Sequence, residues 1–372
     1  MEDTTNEVVH TLEYQLLHAC HYEETMMAES FLKMPSGPNF DHVQWNFPRL
    51  VMDLKDPDDL HCLTLMKTCA HKNILQLKTV NVEGAHLVVW TEPYTGRLID
   101  LLRKMKSNLG NPICPPPWVV PSDVLQIIVD QVLDGMGQLR LDGKYHGNFS
   151  LENTYYHMES GKPIVKLANF RVKKEAKLRQ CQLEDVWDIA RALDEICVIA
   201  EECTRTGRVP LDCYLVADLS KKLKEVSLGD LVTVMKDIKK HSFFWGSYQR
   251  KRFFVCDLPF ALRSSDFKKD VEASSTLCTI PWDTDPYSGL LQDMNQYRAL
   301  HKKHAYDGSK KTGFCSFCSG LYSHEFELPV VQNRRVCVDK VLQQRHRKAC
   351  FEMVGMMPDR ETKYMLSKKE AA

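Results

Sequence analysis

Strand-like and helix-like hydrophobic patterns outline this chain. Leu50-Val51-Met52-Asp53-Leu54-Lys55 reads as a strand, and Ala85-His86-Leu87-Val88-Val89-Trp90 as a buried one. Between them Leu60, Leu63, Leu65 and Met66 have the spacing of an amphipathic helix over residues 59–69. Residues 8–29 allow an earlier helix, broken by Met34-Pro35-Ser36-Gly37-Pro38-Asn39. A Pro-rich loop covers residues 112–117. Pro121-Ser122-Asp123 then opens a helix to about Asp142, with Val124, Ile127, Ile128, Val132 and Met136 on one face. A polar loop ends at Asn153, Ser160-Gly161-Lys162-Pro163 supplies a turn, and Ile164-Val165-Lys166-Leu167 reads as a buried strand. Leu219, Leu223, Leu231, Val234 and Ile238 predict one long helix over residues 216–238.

Composition narrows the function classes. The 372 residues suffice for two domains or a large bilobal one, and 44% hydrophobic content is that of a globular protein. Lys+Arg and Asp+Glu both number 49, so no global charge draws the chain to nucleic acid or membrane. The acidic start, Met1-Glu2-Asp3-Thr4-Thr5, is unlike a secretory signal, and no apolar run reaches membrane-spanning length. Fourteen scattered cysteines fit a reduced compartment, so the expected localisation is cytoplasmic, with nuclear as the alternative.

The loop Tyr145-His146-Gly147-Asn148-Phe149-Ser150-Leu151-Glu152-Asn153 and the strand ending Ala168-Asn169-Phe170-Arg171 resemble the catalytic loop and metal-binding strand of eukaryotic protein kinases. There the loop reads His-Arg-Asp-Leu-x-x-x-x-Asn and the strand ends in Asp-Phe-Gly. His146 and Asn153 are kept. Asn148 stands where the Asp base belongs, and Asn169 where the magnesium-binding carboxylate belongs. An amide does not accept a hydroxyl proton at neutral pH and is a poor ligand for a small, hard dication. The resemblance therefore implies an α+β, bilobal kinase-like fold with a reduced small lobe, and a pseudokinase.

Other expectations follow from that resemblance. No Gly-x-Gly precedes the first strand, so the phosphate-covering loop is missing. Lys55 matches the nucleotide lysine. Its Glu partner falls at His61 or Cys62, neither a carboxylate, with His61 expected to face solvent or be satisfied within its helix. ATP, if held through Lys55 and Asn153, should bind weakly and independently of magnesium. Thr91-Glu92-Pro93 resembles the hinge, and Arg97-Leu98-Ile99-Asp100-Leu101-Leu102 the first large-lobe helix. Residues 170–184 hold no Ser, Thr or Tyr, and Lys173, Lys174, Lys177 and Arg179 read as a solvated basic face. Asp185-Val186-Trp187-Asp188-Ile189 resembles the start of the central helix, whose Asp braces the catalytic loop.

A second resemblance begins at Phe243-Phe244-Trp245 and Tyr248-Gln249-Arg250-Lys251-Arg252-Phe253-Phe254, which is similar to the opening of the KEN domain, an all-α ribonuclease module fused to kinase-like domains. Aligned on Leu290-Leu291-Gln292-Asp293-Met294, the family's catalytic Asn and His positions hold Gln296 and Leu300, with His301 and His304 nearby as displaced candidates. The expected organisation is an extension over residues 1–40, a kinase-like domain over 41–244, a KEN-like domain over 245–357 and a tail over 358–372.

Cys315-Ser316-Phe317-Cys318 has the spacing of a zinc half-site, although Phe314, Phe317 and Leu321 around it suit core packing, and no metal is expected. Asn333-Arg334-Arg335 and Arg345-His346-Arg347-Lys348 read as a solvated helix face. The functional expectation is a catalytically impaired partner, decoy or scaffold that meets another kinase/KEN protein or itself, touches RNA weakly at most, and uses no membrane. One alternative is an endoribonuclease using His301 or His304. Another is a weak Ser/Thr kinase.

Overall fold

The computed structural model describes residues 48–107, 122–201, 214–274, 277, 288–324 and 353, except 54, 84–85 and 174–175. The helix over 8–29, the extension over 1–40, the Pro-rich loop and the tail over 358–372 lie outside them. The described part is mixed α+β, with small antiparallel sheets and a majority of helix.

In the first sheet, β1 (Arg49–Asp53) and β2 (Leu77–Glu83) both pair antiparallel with β3 (His86–Thr91). β1 stops short of its expected length. Asp53 turns the chain, its carboxylate accepting from Lys55 N at 2.8 Å, so Lys55 projects from an exposed turn and not from a strand. Helix α1 (Pro57–Thr68) follows, with Asp56 as N-cap and Cys62, Leu63, Leu65 and Met66 buried.

In the second sheet, β4 (Gly96–Arg97), β5 (Thr154–Glu159) and β6 (Lys162–Leu167) run antiparallel in sequence order. Arg97 thus belongs to a strand, and α2 (Leu98–Ser107) starts one residue later than expected. Ser160 and Gly161, with φ of 49° and 78°, form the two-residue turn between β5 and β6; paired left-handed residues match the strand twist there. Helix α3 (Asp123–Leu141) is capped by Ser122, whose hydroxyl accepts from Leu125 N. It packs on β6 through Gly135, where a Cβ would meet Leu167 Cδ1 at 2.7 Å.

The central helix α4 (Leu178–Glu201) begins two turns before Asp185, so Asp185 lies inside it and not at its start. The long helix expected over 216–238 is two, α5 (Tyr214–Lys224) and α6 (Leu231–Asp237). Ser227-Leu228-Gly229-Asp230 breaks it, with Ser227 Oγ donating to Asp230 Oδ2 at 2.5 Å. One hydrophobic core runs from Met52 to Phe243. A second begins at Phe253 and is built by α7 (Ser247–Arg252), a π-turn into α8 (Leu258–Ala261), α9 (Ser265–Ala273), α10 (Ser288–Leu300) and α11 (Lys311–Ser323). No helix among the described residues is long and apolar enough to cross a membrane.

Lys166 interrupts the apolar reading of β6. Its side chain is 8% exposed and its ammonium lies 2.8 Å from Glu92 Oε1, which also accepts from Gln76 N at 2.9 Å. Removing one partner of a buried pair leaves the other charge uncompensated. Glu92→Gln should therefore cost about 3 kcal/mol in urea denaturation; a change near zero would mean the pair contributes nothing to folding.

Candidate functional site: an asparagine-lined loop

The loop over residues 145–153 has no regular structure, so its backbone groups need side-chain partners. Asp185, reaching from α4, supplies two: Oδ2 accepts from His146 N at 2.6 Å and Oδ1 from Gly147 N at 2.8 Å. Burial pushes the Asp185 carboxyl up to about 6, against the pull of those two N–H bonds and of Lys173. Gly147 has a φ of +76°, and a Cβ there would sit 2.1 Å from Arg171 O. Only glycine lets the two backbones meet, where Arg171 N donates to His146 O at 3.0 Å.

His146 is fully buried between Phe170, at 4.6 Å between ring centroids, and Phe149 at 5.8 Å. Burial drives its pKa down to about 3, so the ring is neutral. Nδ1 accepts from Asn148 N at 3.3 Å, which puts the proton on Nε2, and that atom has no partner. His61 is half-buried, its ring engages the Tyr145 backbone, and its Nε2 is likewise buried and unpartnered, so it does not face solvent and is only partly satisfied. Beside it, at the other candidate acid position, Cys62 packs on the backbone of Asn169 and Phe170, and burial pushes its thiol up to about 11.

Three asparagines close a ring. Asn148 Nδ2 donates to Asn169 O at 3.0 Å, Asn169 Nδ2 to Asn153 O at 3.4 Å, and Asn153 Nδ2 to Asn148 O at 3.1 Å. Each side chain must present its NH₂, because each faces a carbonyl oxygen. Asn169 also reaches the Tyr155 hydroxyl at 3.4 Å and holds a φ of +57°, a conformation that asparagine tolerates better than most residues. Tyr155 packs against Tyr94 with its ring tilted by 32°, the centroids 4.2 Å apart. Along 91–95 the N–H groups of Thr91, Glu92 and Thr95 are bonded to Pro48 O, Gln76 O and Tyr156 O, and Pro93 has none.

The structure brings His146, Asn148, Asn153, Asn169 and Asp185 together and leaves Lys55 outside, in its exposed turn. Sequence reasoning missed Tyr94, Tyr155, Lys166 and Asp58. Asp58 accepts from Val172 N at 2.8 Å and lies 3.8 Å from Arg171, tying α1 to the segment after Asn169. Two adjacent tyrosines in a strand and a lysine in an apolar run were the available signals. The basic residues after Arg171 are not one solvated face. Lys173 is ion-paired with Glu184 at 2.5 Å, while Lys177 and Arg179 are exposed and Lys174 is outside the described residues.

In the second core His301 is exposed and its ring lies 4.4 Å from Tyr297, which also contacts His324 at 4.2 Å. His304 is exposed in the turn after α10, where its carbonyl accepts from Arg298. Arg298 also lies 4.3 Å over the Tyr306 ring, so it ties the turn to its helix. Cys315 and Cys318 are both inward-facing on α11; Cys315 Sγ is 3.0 Å from Met353 Sδ, and no metal-binding group of three His, Cys, Asp or Glu occurs among the described residues. Cys337, His346 and Cys350, from which a second pair of zinc ligands would have to come, and the basic stretches at 333–335 and 345–348 lie outside them.

The signs of the two buried shifts oppose each other. His146, depressed to about 3, stays neutral while the unfolded chain takes a proton below its ordinary 6.5, so stability is lost as pH falls from 6.5 to 3. Asp185, raised to about 6, takes its proton in the folded state first, so stability is gained as pH falls from 6 to about 4. His146→Phe should remove only the first effect. Between pH 7 and pH 4 the variant should gain about 3 kcal/mol relative to the parent, read by denaturation at each pH. Parallel pH profiles would show that His146 is not held neutral. Comparison with known proteins adds no assignment: no protein-family model and no curated protein matches this chain.

Proposed function

We propose that the chain is a kinase-like protein without phosphotransfer chemistry, followed by a KEN-like helical domain, and that it acts as a binding partner, decoy or scaffold, meeting a kinase/KEN protein or a second copy of itself. The observation that carries this reading is the asparagine ring. In a working kinase the first and third of these positions hold carboxylates, one taking a proton and the other holding magnesium. Here Asn148 and Asn169 each donate to a carbonyl oxygen, which a carboxylate cannot do. The amides have therefore been put to structural use. The order of strands and helix around α1, the Asp185 bonds to the loop and the short segment after Arg171 support the same reading.

Nucleotide has little to hold it. The lysine expected to meet its phosphates sits in an exposed turn, the N–H groups of Thr91 and Glu92 are occupied, and the Tyr94–Tyr155 contact joins the segment after that hinge to Asn169. The expected outcome is no phosphotransfer, and no magnesium-dependent thermal shift with ATP. Asn148→Asp and Asn169→Asp, alone or together, should each cost about 1–3 kcal/mol, since each sets an acceptor against an acceptor, without restoring transfer. Magnesium-dependent autophosphorylation by the double variant would overturn the structural role given to these amides.

The endoribonuclease reading retains one specific observation, Tyr297 flanked by the rings of His301 and His324. Two imidazoles near one phosphodiester are what 2′-hydroxyl attack needs. It favours His301 over His304 and makes His324 the second group to test. A stem-loop RNA should remain uncut by purified protein, with any binding falling steeply as salt rises. Site-specific cleavage that is lost in both His301→Ala and His324→Ala would establish the enzyme in place of the scaffold.

A further inference from the structure

Cys69 has a lysine nitrogen as a neighbour. Cys62, by comparison, faces the thioether of Met66 and the backbone of Asn169 and Phe170. Cys69, the fully buried C-cap residue of α1, has its sulfur 3.2 Å from Lys144 Nζ. The same ammonium donates to Thr68 Oγ1 at 2.7 Å, and its remaining side is part-exposed. Both residues are held from behind. Cys69 N donates to Leu65 O at 3.0 Å, while Lys144 N donates to Leu139 O at 2.7 Å and Lys144 O accepts from Gln182. A side-chain nitrogen is thus placed beside an oxidisable sulfur, immediately before the loop that carries His146.

We propose that Cys69 and Lys144 form a reversible redox cross-link, a sulfenamide, when the protein meets hydrogen peroxide. The Cys69 sulfur attacks one peroxide oxygen; an S–O bond forms, the O–O bond breaks, and the departing hydroxide takes the thiol proton as water. The Lys144 ammonium releases one proton to solvent, and its nitrogen lone pair then attacks the sulfenic sulfur. An S–N bond forms, the S–O bond breaks, and hydroxide leaves with an amine proton as a second water. Sulfur is oxidised by two electrons and one peroxide is reduced to two waters. A sulfenic acid condenses in the same way with a backbone nitrogen, and here the Lys144 nitrogen lies 3.2 Å from the sulfur. A thiol reverses the link by attacking the same sulfur. The bond joins positions 75 residues apart and ties the end of α1 to the turn that leads into the asparagine loop. Peroxide is expected to enter from the exposed Thr68 side.

The experiment treats the full-length protein with hydrogen peroxide, blocks remaining thiols, and maps peptides by mass spectrometry with and without later thiol reduction. The expected product joins the Cys69 peptide to the Lys144 peptide, two hydrogens lighter than their sum, and disappears on reduction. Oxidised protein should melt at a higher temperature than reduced protein. Lys144→Arg, which keeps the charge, should lose both the linked peptide and the rise in melting temperature; Cys69→Ser should do the same. Exposed Cys256 serves as the internal measure of oxidation. Three results would overturn the proposal: an intact Cys69 thiol when Cys256 is fully oxidised, a Cys69 sulfinic acid without the link, or the same two-hydrogen loss at Cys69 in Lys144→Arg.

Discussion

Asp185 leaves water to hold the N–H groups of His146 and Gly147, and much of the rest follows from that clamp. Burying a carboxylate is unfavourable unless hydrogen bonds return what solvation gave, and two backbone donors from one loop do so only in part. The compensation is geometric. With the loop pinned on α4, Gly147 can lie against Arg171, and the segment after β6 is held to the same place.

The asparagine ring completes what the clamp begins. An irregular loop next to an irregular strand end leaves carbonyl groups that no ladder can reach, and three short amide side chains reach them. The unpartnered Nε2 of His146 shows one place where the arrangement stops short of full satisfaction. Ring packing from Phe149 and Phe170 holds the imidazole regardless. A loop engaged with itself in this way is better suited to a fixed shape than to proton transfer.

The sheets are joined by comparable means. Lys166 and Glu92 link β6 to the end of β3, while Asn73, fully buried, bonds Gln131 of α3 and Val165 O of β6. Gly135 brings α3 close enough for this to work. These are polar contacts between elements far apart in the chain, laid over an apolar core of Leu, Ile, Val and Met.

By itself the sequence determined the local units: the Ser122-capped helix, the Ser160-Gly161 hairpin, and the presence of amides at positions 148, 153 and 169. Each is written in a few neighbouring residues, through capping chemistry, left-handed turn propensity or simple side-chain identity. The tertiary structure alone decided what those amides do, because their partners are backbone carbonyls brought in from five to 21 residues away. It also decided that Lys55 falls off its strand, that Lys166 is buried with Glu92, and that the apolar spacing over 216–238 makes two helices. Periodicity reports which face of a segment is apolar. It does not report where Ser227 and Asp230 prefer their own turn, nor which charge will find a partner across the fold.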